Sequence, residues 1–519
     1  MNSRRKGAES KIRGIEQEYP VSAKANLNPS LLVNAAIRGL KRHGFSQDVI
    51  WDTATEISQE VHESRIASSY GNNGCRIYND MGHLEISTPS YNNPIDAMAY
   101  EKASEIYALV GAREASLALK KEVLVHKNNV ANIALEKGLR KGKRVKTITY
   151  ATHGNIITLR EACKDWSRVE RALIPWVITR IIFTGSGDVV SGEFVGHEGV
   201  KFVISPRAMF VAQKSSLSTT VDRGILNTRD QPHAARRYWR LHDIHYEGLR
   251  CEYSIFLRDI AQALVICAFE AGFLDDAPEI EDPVRTFKMI STDTQECEWK
   301  IKLKTGEITD AVSILMFYLD AMEKVSTEYG GDGWGERGLK CLSRLLERFE
   351  ARRIEDYVDG IDWVTKLALL VNYEPKSASE GISICNQYAL LDENLGFYIK
   401  TKDDEDEVKG ASLFNPKESL AFAERELPGV DRRSYSARVR HALFNAPEQT
   451  REFFKAEMMK RYRAHVRSLS WSTMVLNEAK ILLDEPFMLN KDEMASCEAK
   501  DMEESLSVAK RLYPEKVIY

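Results

Sequence analysis

The stretch Asn73-Gly-Cys-Arg-Ile-Tyr-Asn-Asp-Met-Gly-His-Leu-Glu-Ile-Ser-Thr-Pro89 holds most of the chemically informative residues of this chain. Its composition predicts a β-strand, in which successive side chains point to opposite faces of a sheet. Arg76, Tyr78 and Asp80 would then share one face, with apolar Ile77 on the other. The sequence therefore predicts a strand with one charged, polar face.

Gly82 allows a bulge or kink after this strand, which would re-aim His83 and Glu85. Two interpretations of the charged face follow. It is either a solvent-exposed face of an antiparallel sheet, or the wall of a cleft that holds a metal ion and an anion.

A second short run supports the cleft. Ile12-Arg-Gly-Ile-Glu-Gln-Glu-Tyr-Pro20 places Glu16 and Glu18 on one face of a predicted strand. Two carboxylates 4 Å apart repel by roughly 4 kcal/mol in an effective dielectric of about 20, unless a cation lies between them. Most Glu-x-Glu pairs are simply solvated, so the pattern alone is a weak indication of a metal site.

Composition limits the classes of protein. A length of 519 residues predicts two domains. A hydrophobic content of 43% and a charged content of 29% are typical of a globular protein. A net charge of −4 does not support nucleic-acid binding.

Other features bear on location. The eight cysteines include no Cys-x-x-Cys pair, which indicates a reducing compartment. No apolar signal segment follows the charged N-terminus, and the longest apolar run, near 261–268, is too short to cross a membrane. The sequence therefore predicts a cytoplasmic protein without a membrane partner.

Hydrophobic periodicity predicts an α+β chain. The run Gly185-Ser-Gly187 is predicted to be a turn, because it lacks a dinucleotide or P-loop pattern. The predicted elements are strands at 12–22, 145–158 and 197–212, a loop at 52–72, and helices at 28–43, 94–120, 161–182, 235–274, 308–327 and 333–372.

Charge and periodicity also predict the domain boundaries. The run Lys402-Asp-Asp-Glu-Asp-Glu-Val-Lys-Gly410 is typical of a solvated linker. We expect a large domain at 1–400, an acidic linker at 401–414 and a small C-terminal domain at 415–519, helical and amphipathic over 415–515.

The chain resembles the Pup ligase and Pup deamidase/depupylase family, part of the carboxylate–amine ligase superfamily that also contains glutamine synthetase. The resemblance begins at Gly14-Ile-Glu-Gln-Glu-Tyr19 and at the 73–89 stretch. Further blocks follow in the family's order: Lys127-Asn-Asn129, Thr149-Tyr-Ala-Thr-His153, Ile225-Leu-Asn-Thr-Arg-Asp-Gln-Pro-His-Ala234, Tyr238-Trp-Arg-Leu-His242, Asp362-Trp-Val-Thr-Lys-Leu367, Thr450-Arg-Glu-Phe-Phe454 and Ser470-Trp-Ser472. An ordered series from about 12 to about 480 is more specific than any one motif.

The resemblance implies a large glutamine synthetase-like domain, in which a curved, mainly antiparallel sheet is backed by helices, and a small C-terminal helical domain. It implies ATP and Mg²⁺ as cofactors. It also implies a small, disordered Pup-like protein modifier and its lysine-conjugated substrate proteins as partners.

The resemblance further implies roles for individual residues. Asp80 would be the general base, or would orient the nucleophile. The expected magnesium ligands are Glu16, Tyr78 and Glu85, with Glu18 and His153 at a second metal position or at the phosphates. The expected nucleotide contacts are Arg76, Thr88, Trp471 and, around the phosphates, Arg229, Arg240 and His242.

Ordinary structural roles remain open for several of these residues. Asp80 could be a surface carboxylate, and Arg229 could belong to a turn at 227–228. His153 could be a hydrogen-bonded core histidine, and Trp471 could serve only domain packing.

The chain departs from the family at several positions. Gly154-Asn155 replaces a Glu-Asn pair after His153, Gln231 replaces a glutamate, and Leu84 replaces a proline. The segment from 49 to 71 is also short for the depupylase branch. These differences predict a divergent member.

Four residues separate Asp80 from Glu85, as in the deamidase/depupylase branch, and Tyr19 agrees with that branch. The predicted activity is hydrolysis of an isopeptide or a C-terminal glutamine amide with ATP bound mainly as a cofactor. The alternatives are an ATP-dependent ligase that joins the modifier's glutamate to a lysine, and a nucleotide-binding relative that is phosphatase-like or catalytically inactive.

Overall fold

A computed structural model describes residues 7–24, 27–52, 65–131, 148–191, 200–329, 333–398, 411–495 and 501–519. The predicted linker run at 402–410 lies outside these residues. So does most of the predicted loop at 52–72.

The strands are β1 Arg13–Tyr19, β2 Val21–Ala23, β3 Ser46–Asp52, β4 Arg65–Gly71, β5 Arg76–Asp80, β6 His83–Ser87, β7 Val123–Val125, β8 Val130–Ala131, β9 Ile148–Thr149, β10 Thr152–Leu159, β11 Asp188–Ser191, β12 Val200–Val203, β13 Val211–Ser216, β14 Arg223–Asn227, β15 Tyr238–Tyr246, β16 Lys300–Lys302, β17 Ile308–Asp310, β18 Val466–Leu469, β19 Thr473–Leu476, β20 Lys480–Leu482 and β21 Val517–Ile518. The helices are α1 Pro29–Arg42, α2 Pro94–Leu119, α3 Trp166–Thr179, α4 Ile181–Thr184, α5 Glu252–Ala271, α6 Pro283–Thr292, α7 Ala311–Tyr329, α8 Gly333–Glu350, α9 Asp362–Tyr373, α10 Ala378–Ala389, α11 Pro416–Glu426, α12 Arg432–Phe444, α13 Glu452–Tyr462, α14 Lys491–Ala495 and α15 Met502–Leu512.

The described strands include a 13-stranded sheet with the order β13-β14-β15-β10-β1-β6-β5-β4-β3-β18-β19-β20-β21. Only the β13–β14 and β18–β3 pairs within this sheet are parallel. The sheet is thus mainly antiparallel, as the sequence predicts.

The hairpin of β5 and β6 differs from its prediction. Asp80 pairs with His83, so that Met81 and Gly82 form a two-residue turn with φ values of 49° and 94°. Such turns match the twist of the flanking strands and require positive φ at both positions. Gly82 therefore reverses the chain and does not kink a continuing strand.

Two further element predictions are wrong. Residues 65–71 form β4 rather than loop, because they pair with both β3 and β5. Residues 238–246 form β15 rather than helix, because they pair along β10 with six residues of the strand buried. Polar residues lie on both faces of this strand, Arg240 and His242 on one and Asp243 and His245 on the other, so its sequence shows no clean apolar–polar alternation.

Two long helices cover one face of the sheet. Asn93 caps the N-terminus of α2 by accepting a hydrogen bond from the Asp96 backbone N–H, and Pro94 occupies the first turn. α2 and α5 are each buried along most of their length. They form the centre of the hydrophobic core together with α7, α8 and α12.

The buried charge of Lys127 connects α2 with the loop between β15 and α5. Lys127 Nζ donates to Glu105 Oε1 at 2.8 Å and to the Leu249 carbonyl at 2.7 Å. Asn129 Oδ1 accepts from the Gly248 N–H at 3.0 Å. The Lys127-Asn-Asn129 block therefore fixes the loop that leads from β15 to α5.

The C-terminal region is only partly helical. The predicted helices over 415–515 are interrupted by β18, β19 and β20, and β18 pairs with β3 through Leu469 and Trp51. Helices α11 and α12 pack into the main core. The domain boundary at 401–414 stays a prediction.

Among the described helices, none combines the length and the apolar character needed to cross a lipid bilayer.

Candidate active site

Strand pairing gathers the predicted site residues on neighbouring strands. Tyr78 lies opposite Glu85, and Glu85 lies opposite Glu18. Glu16, two residues before Glu18, lies opposite His153 of β10. Four strands thus contribute polar side chains to one region of the sheet.

The first cluster consists of carboxylate oxygens that could bind a metal ion. One carboxylate oxygen from each of Glu18, Asp80 and Glu85 lies within 4.8 Å of the others. The Tyr78 hydroxyl donates a hydrogen bond to Glu85 Oε1. Burial and the charges of Glu16 and Glu18 raise the pKa of Glu85 well above its usual value. This crowding of carboxylates is the arrangement that a divalent cation relieves.

Asp80 lies at the end of β5 and is half-buried. Burial, followed by the charge of Glu18, raises the pKa of Asp80 above its usual value. A carboxylate with a raised pKa is a better proton acceptor than a fully solvated one. The position of Asp80 between the cluster and solvent is suited to a base that meets an incoming nucleophile.

The second cluster combines one carboxylate with two imidazoles. Glu16, His153 and His242 each place a ligand atom within 4.8 Å of the others. His153 Nδ1 lies 3.4 Å from Glu16 Oε2, and His242 Nδ1 lies 2.9 Å from Asn155 Oδ1. The Nε2 atoms of both histidines are buried and have no hydrogen-bond partner among the described residues.

These two donor sets fit the cofactors that the resemblance implies. Mg²⁺ prefers carboxylate oxygens, which the first cluster supplies. The second cluster offers one carboxylate and two imidazoles as possible ligands. The Nε2 atoms without a partner are buried polar groups of the kind that a bound ligand satisfies. Burial alone would raise the pKa of Glu16, but the hydrogen bond with His153 and the charges of His242 and Arg240 lower it.

Arg240 joins the two sides of the second cluster. Its Nη1 donates to Asn155 Oδ1 at 2.6 Å and lies 3.4 Å from Glu16 Oε1. Arg229 follows β14 and is half-buried, with its backbone N–H donating to Asn227 Oδ1 at 2.9 Å. The turn that the sequence left open for Arg229 is therefore present. Burial, and then the charges of Arg240 and, less strongly, Arg229, lower the pKa of His242.

Two aromatic rings contact Arg76, the third arginine predicted to bind the nucleotide. The Arg76 guanidinium carbon lies 4.2 Å from the centre of the Tyr78 ring and 4.5 Å from that of Trp51. The Trp51 and Trp471 rings meet edge to face at 4.9 Å. Trp471 thus contacts the site region from the C-terminal part of the chain. It also packs against a second, smaller hydrophobic core that includes Phe454, Met474 and Ile481.

An adjoining cavity lies between the sheet and the C-terminal region. Among the predicted residues, Glu16, Thr88, Arg240 and Trp471 line it. It is also lined by Ser90, His233, Arg451 and Glu452, to which the sequence assigned no role. His233 and Arg451 lie inside the 225–234 and 450–454 blocks, so those blocks carried the signal that could have identified them.

The structure explains one departure from the family pattern. A Cβ atom at Gly154 would lie 2.5 Å from a ring carbon of Tyr246. A side chain at this position would therefore meet Tyr246 on β15. Glycine at 154 permits the close approach of the Tyr246 ring to β10.

Comparisons with known proteins give a consistent result. The sequence profile of the Pup-ligase protein family matches residues 11–392. The chain is 30% identical to a depupylase of Acidothermus cellulolyticus, over 90% of this chain and 91% of that protein. It is 26% identical to the Pup deamidase/depupylase of Mycolicibacterium smegmatis over the same shares, and 28% identical to a Pup–protein ligase of Acidimicrobium ferrooxidans over 69% of this chain and 73% of that protein.

Solved structures show the same fold. The Pup ligase PafA in complex with Pup matches with a TM-score of 0.71 and 19% identity, over 98% of this chain and 94% of that one. PafA in complex with ADP matches with a TM-score of 0.65 and 19% identity, over 95% and 96% of the two chains. The predicted fold class is confirmed. The chain belongs to the Pup-ligase family, as a divergent member on its depupylase-like side.

Proposed function

We propose that this protein is an ATP- and magnesium-dependent isopeptidase. Its substrate would be the bond between the C-terminal glutamate side chain of a Pup-like modifier and a lysine of a conjugated protein, or a C-terminal glutamine amide of the modifier. The observation that carries the proposal is the position of Asp80 within the carboxylate cluster of Glu18 and Glu85, on the sheet whose Glu16 lines the adjoining cavity.

When bound, magnesium–ATP supplies positive charge and phosphate groups next to the carbonyl that reacts. Glu16, Tyr78 and Glu85 would hold the metal, with Glu18 and His153 at a second position. Arg76, Arg240 and His242 would lie at the phosphates, with Arg229 near them, and Thr88 and Trp471 would line the nucleotide cavity. The protein's own contribution is to orient these groups before the substrate arrives.

Asp80 would accept a proton from the nucleophile that attacks the modifier's carbonyl carbon. In hydrolysis the nucleophile is water: its oxygen bonds to that carbon, the bond between the carbon and the lysine nitrogen breaks, and the amine leaves with the proton that Asp80 accepted. The raised pKa of Asp80, caused by burial and then by Glu18, favours proton uptake.

Hydrolysis is favoured over ligation by the short connection between Asp80 and Glu85. The Met81-Gly82 turn leaves four residues between the two carboxylates, the spacing of the deamidase/depupylase branch. Relatives at 26–30% identity over 90% of the chain carry depupylase names. Ligation is the second candidate, because a Pup–protein ligase is 28% identical over 69% of the chain.

The test uses a purified lysine conjugate of a modifier that ends in glutamate. The conjugate is incubated with the protein, ATP and Mg²⁺, and intact mass and ADP are measured together. We expect release of free modifier with much less than one ADP for each bond cleaved. One ADP for each bond formed between free modifier and substrate would identify a ligase. ATP binding without either reaction, and unchanged in Asp80→Asn, would identify an inactive relative.

A cytoplasmic location is part of this proposal. The seven cysteines among the described residues are all buried and free, as expected in a reducing compartment.

A further inference from the structure

Arg76 is a buried cation whose charge is not balanced by a nearby carboxylate. Only 7% of its surface is exposed. None of the acidic side chains that the structure describes lies within ion-pair distance of its guanidinium. The side-chain hydrogen bond from Nε to Ser68 Oγ is long, at 3.5 Å. Burying an unpaired charge is costly, so an anion that binds Arg76 would be stabilised.

Two aromatic rings, rather than a carboxylate, contact the Arg76 guanidinium. The guanidinium carbon lies 4.5 Å from the centre of the Trp51 ring and 4.2 Å from that of Tyr78. A guanidinium over an aromatic face is attracted by the ring quadrupole, and tryptophan gives the strongest interaction of the three aromatic residues. Such stacking also fixes the plane of the guanidinium, which determines where its N–H groups point.

Trp51 is itself held in place from three directions. Its ring is fully buried and meets Trp471 edge to face at 4.9 Å. Its backbone pairs with Ile66 of β4 and with Leu469 of β18. The ring is therefore a rigid support for Arg76, and it connects that arginine with the C-terminal strands.

We propose that Trp51 is a positioning residue for nucleotide binding. It would hold the Arg76 guanidinium in the orientation that contacts the phosphate groups of a nucleoside polyphosphate, without touching the nucleotide itself. This inference rests on the proposed function, because it requires Arg76 to bind the nucleotide.

A double-mutant cycle tests the inference. The dissociation constant for ATP with Mg²⁺ is measured by isothermal titration for the full chain and for Trp51→Leu, Arg76→Ala and the double variant. We expect Trp51→Leu to weaken binding about tenfold, between the values for an exposed and a fully desolvated cation–π interaction. In the Arg76→Ala background the same substitution should change the dissociation constant less than about twofold, because the group that Trp51 positions is absent.

Two further variants separate positioning from general destabilisation. Trp51→Phe keeps a ring and should weaken ATP binding by only about threefold; it also serves if Trp51→Leu does not fold. Trp176→Leu removes a buried tryptophan whose contacts, Gln262, Phe183 and Tyr318, do not line the cavity. It should leave ATP affinity unchanged even where it lowers thermal stability.

The outcomes distinguish the inference from the proposed function. An equal loss of affinity on Trp51→Leu in both backgrounds, or no loss in either Trp51 variant, would overturn the positioning role. Failure of the unmodified protein to bind ATP would instead contradict the proposed function.

Discussion

Glu18 of β1 lies directly opposite Glu85 of β6, so that two carboxylates from strands more than 60 residues apart face one another in an antiparallel pair. Like charges in this position destabilise a sheet unless a cation or a proton lies between them. We therefore expect the Glu18–Glu85 pair to serve a cation-binding site and not to stabilise the sheet.

Replacing Glu85 should reveal this conflict. Burial and the neighbouring Glu16 and Glu18 raise the pKa of Glu85 well above its usual value, so the ionised group opposes folding when no cation is bound. We expect Glu85→Gln to raise the Tm by about 1–3 °C in the presence of a chelator. Added Mg²⁺ should raise the Tm of the unmodified protein more than that of the variant, measured by differential scanning calorimetry.

Glu114→Gln is the matched control for this experiment. Glu114 lies on α2 and pairs with Arg42 and His43 at the surface. Its replacement should leave the effect of Mg²⁺ on Tm unchanged. A response to Mg²⁺ that is equal in Glu85→Gln and the unmodified protein would argue against a metal at this cluster.

Asp80→Asn should abolish amide chemistry and leave nucleotide binding intact. A general base typically contributes a factor of about 10²–10⁴ to a rate, so we expect a loss of at least about 100-fold in conjugate cleavage. ATP affinity should change less than about threefold. Asp48→Asn, at an exposed carboxylate that pairs with Lys41, is the control and should retain activity. Cleavage within tenfold of normal by Asp80→Asn would remove Asp80 from the mechanism.

Gly154→Ala should destabilise the fold. Its Cβ would lie 2.5 Å from a ring carbon of Tyr246, closer than side chains are found, so the ring or the strand must shift. Overpacking of this kind costs about 1–3 kcal/mol, which urea unfolding can measure. Gly333→Ala, where no atom lies within 4 Å of the new Cβ, should leave the free energy of unfolding nearly unchanged. Equal stability of the two variants would show that β10 and β15 are not packed this closely.

His245 should contribute to acid sensitivity. Burial, and then the charge of Arg207, lowers the pKa of His245 to about 3. The unfolded chain therefore binds a proton near pH 6.5 that the folded protein refuses, and stability falls as pH decreases below 6.5. Between pH 7.5 and 5.5 this group should remove about 1.4 kcal/mol from the free energy of unfolding.

His245→Gln should be less acid-sensitive by about that amount over the same pH range. Glutamine can still donate to the Gly224 carbonyl, which accepts from His245 Nε2 at 2.7 Å. Urea unfolding at the two pH values measures the difference. An identical loss in both proteins would show that His245 is protonated in the folded state.

The local parts of the site follow from the sequence. Alternation over 76–80 and 16–18 predicts which side chains share a face, and the structure agrees. The predicted helices at 28–43 and 94–120 begin within one residue of the observed α1 and α2, whose N-termini are capped by Asn28 and Asn93. Family resemblance supplied the remaining connection, since no local pattern tells that 16–18 pairs with 83–87.

Contacts between distant residues could not be predicted in this way. Trp51 lies on β3 and Arg76 on β5, with β4 between them in the chain, and neither residue carries a local signal for the other. The sequence predicts helix for β15, because polar residues on both of its faces hide the two-residue period of a strand. The sequence predicts a bulge or kink at Gly82, whereas its actual role as half of a hairpin turn depends on the pairing of Asp80 with His83.

Diffraction from crystals grown with Mn²⁺ and a non-hydrolysable ATP analogue tests the central claim most directly. We expect an anomalous peak within bonding distance of Glu85, together with Glu16 or Glu18, and phosphate groups beside Asp80. An anomalous peak away from both carboxylate clusters, or a nucleotide bound elsewhere on the protein, would contradict the assignment of this cleft as the catalytic site.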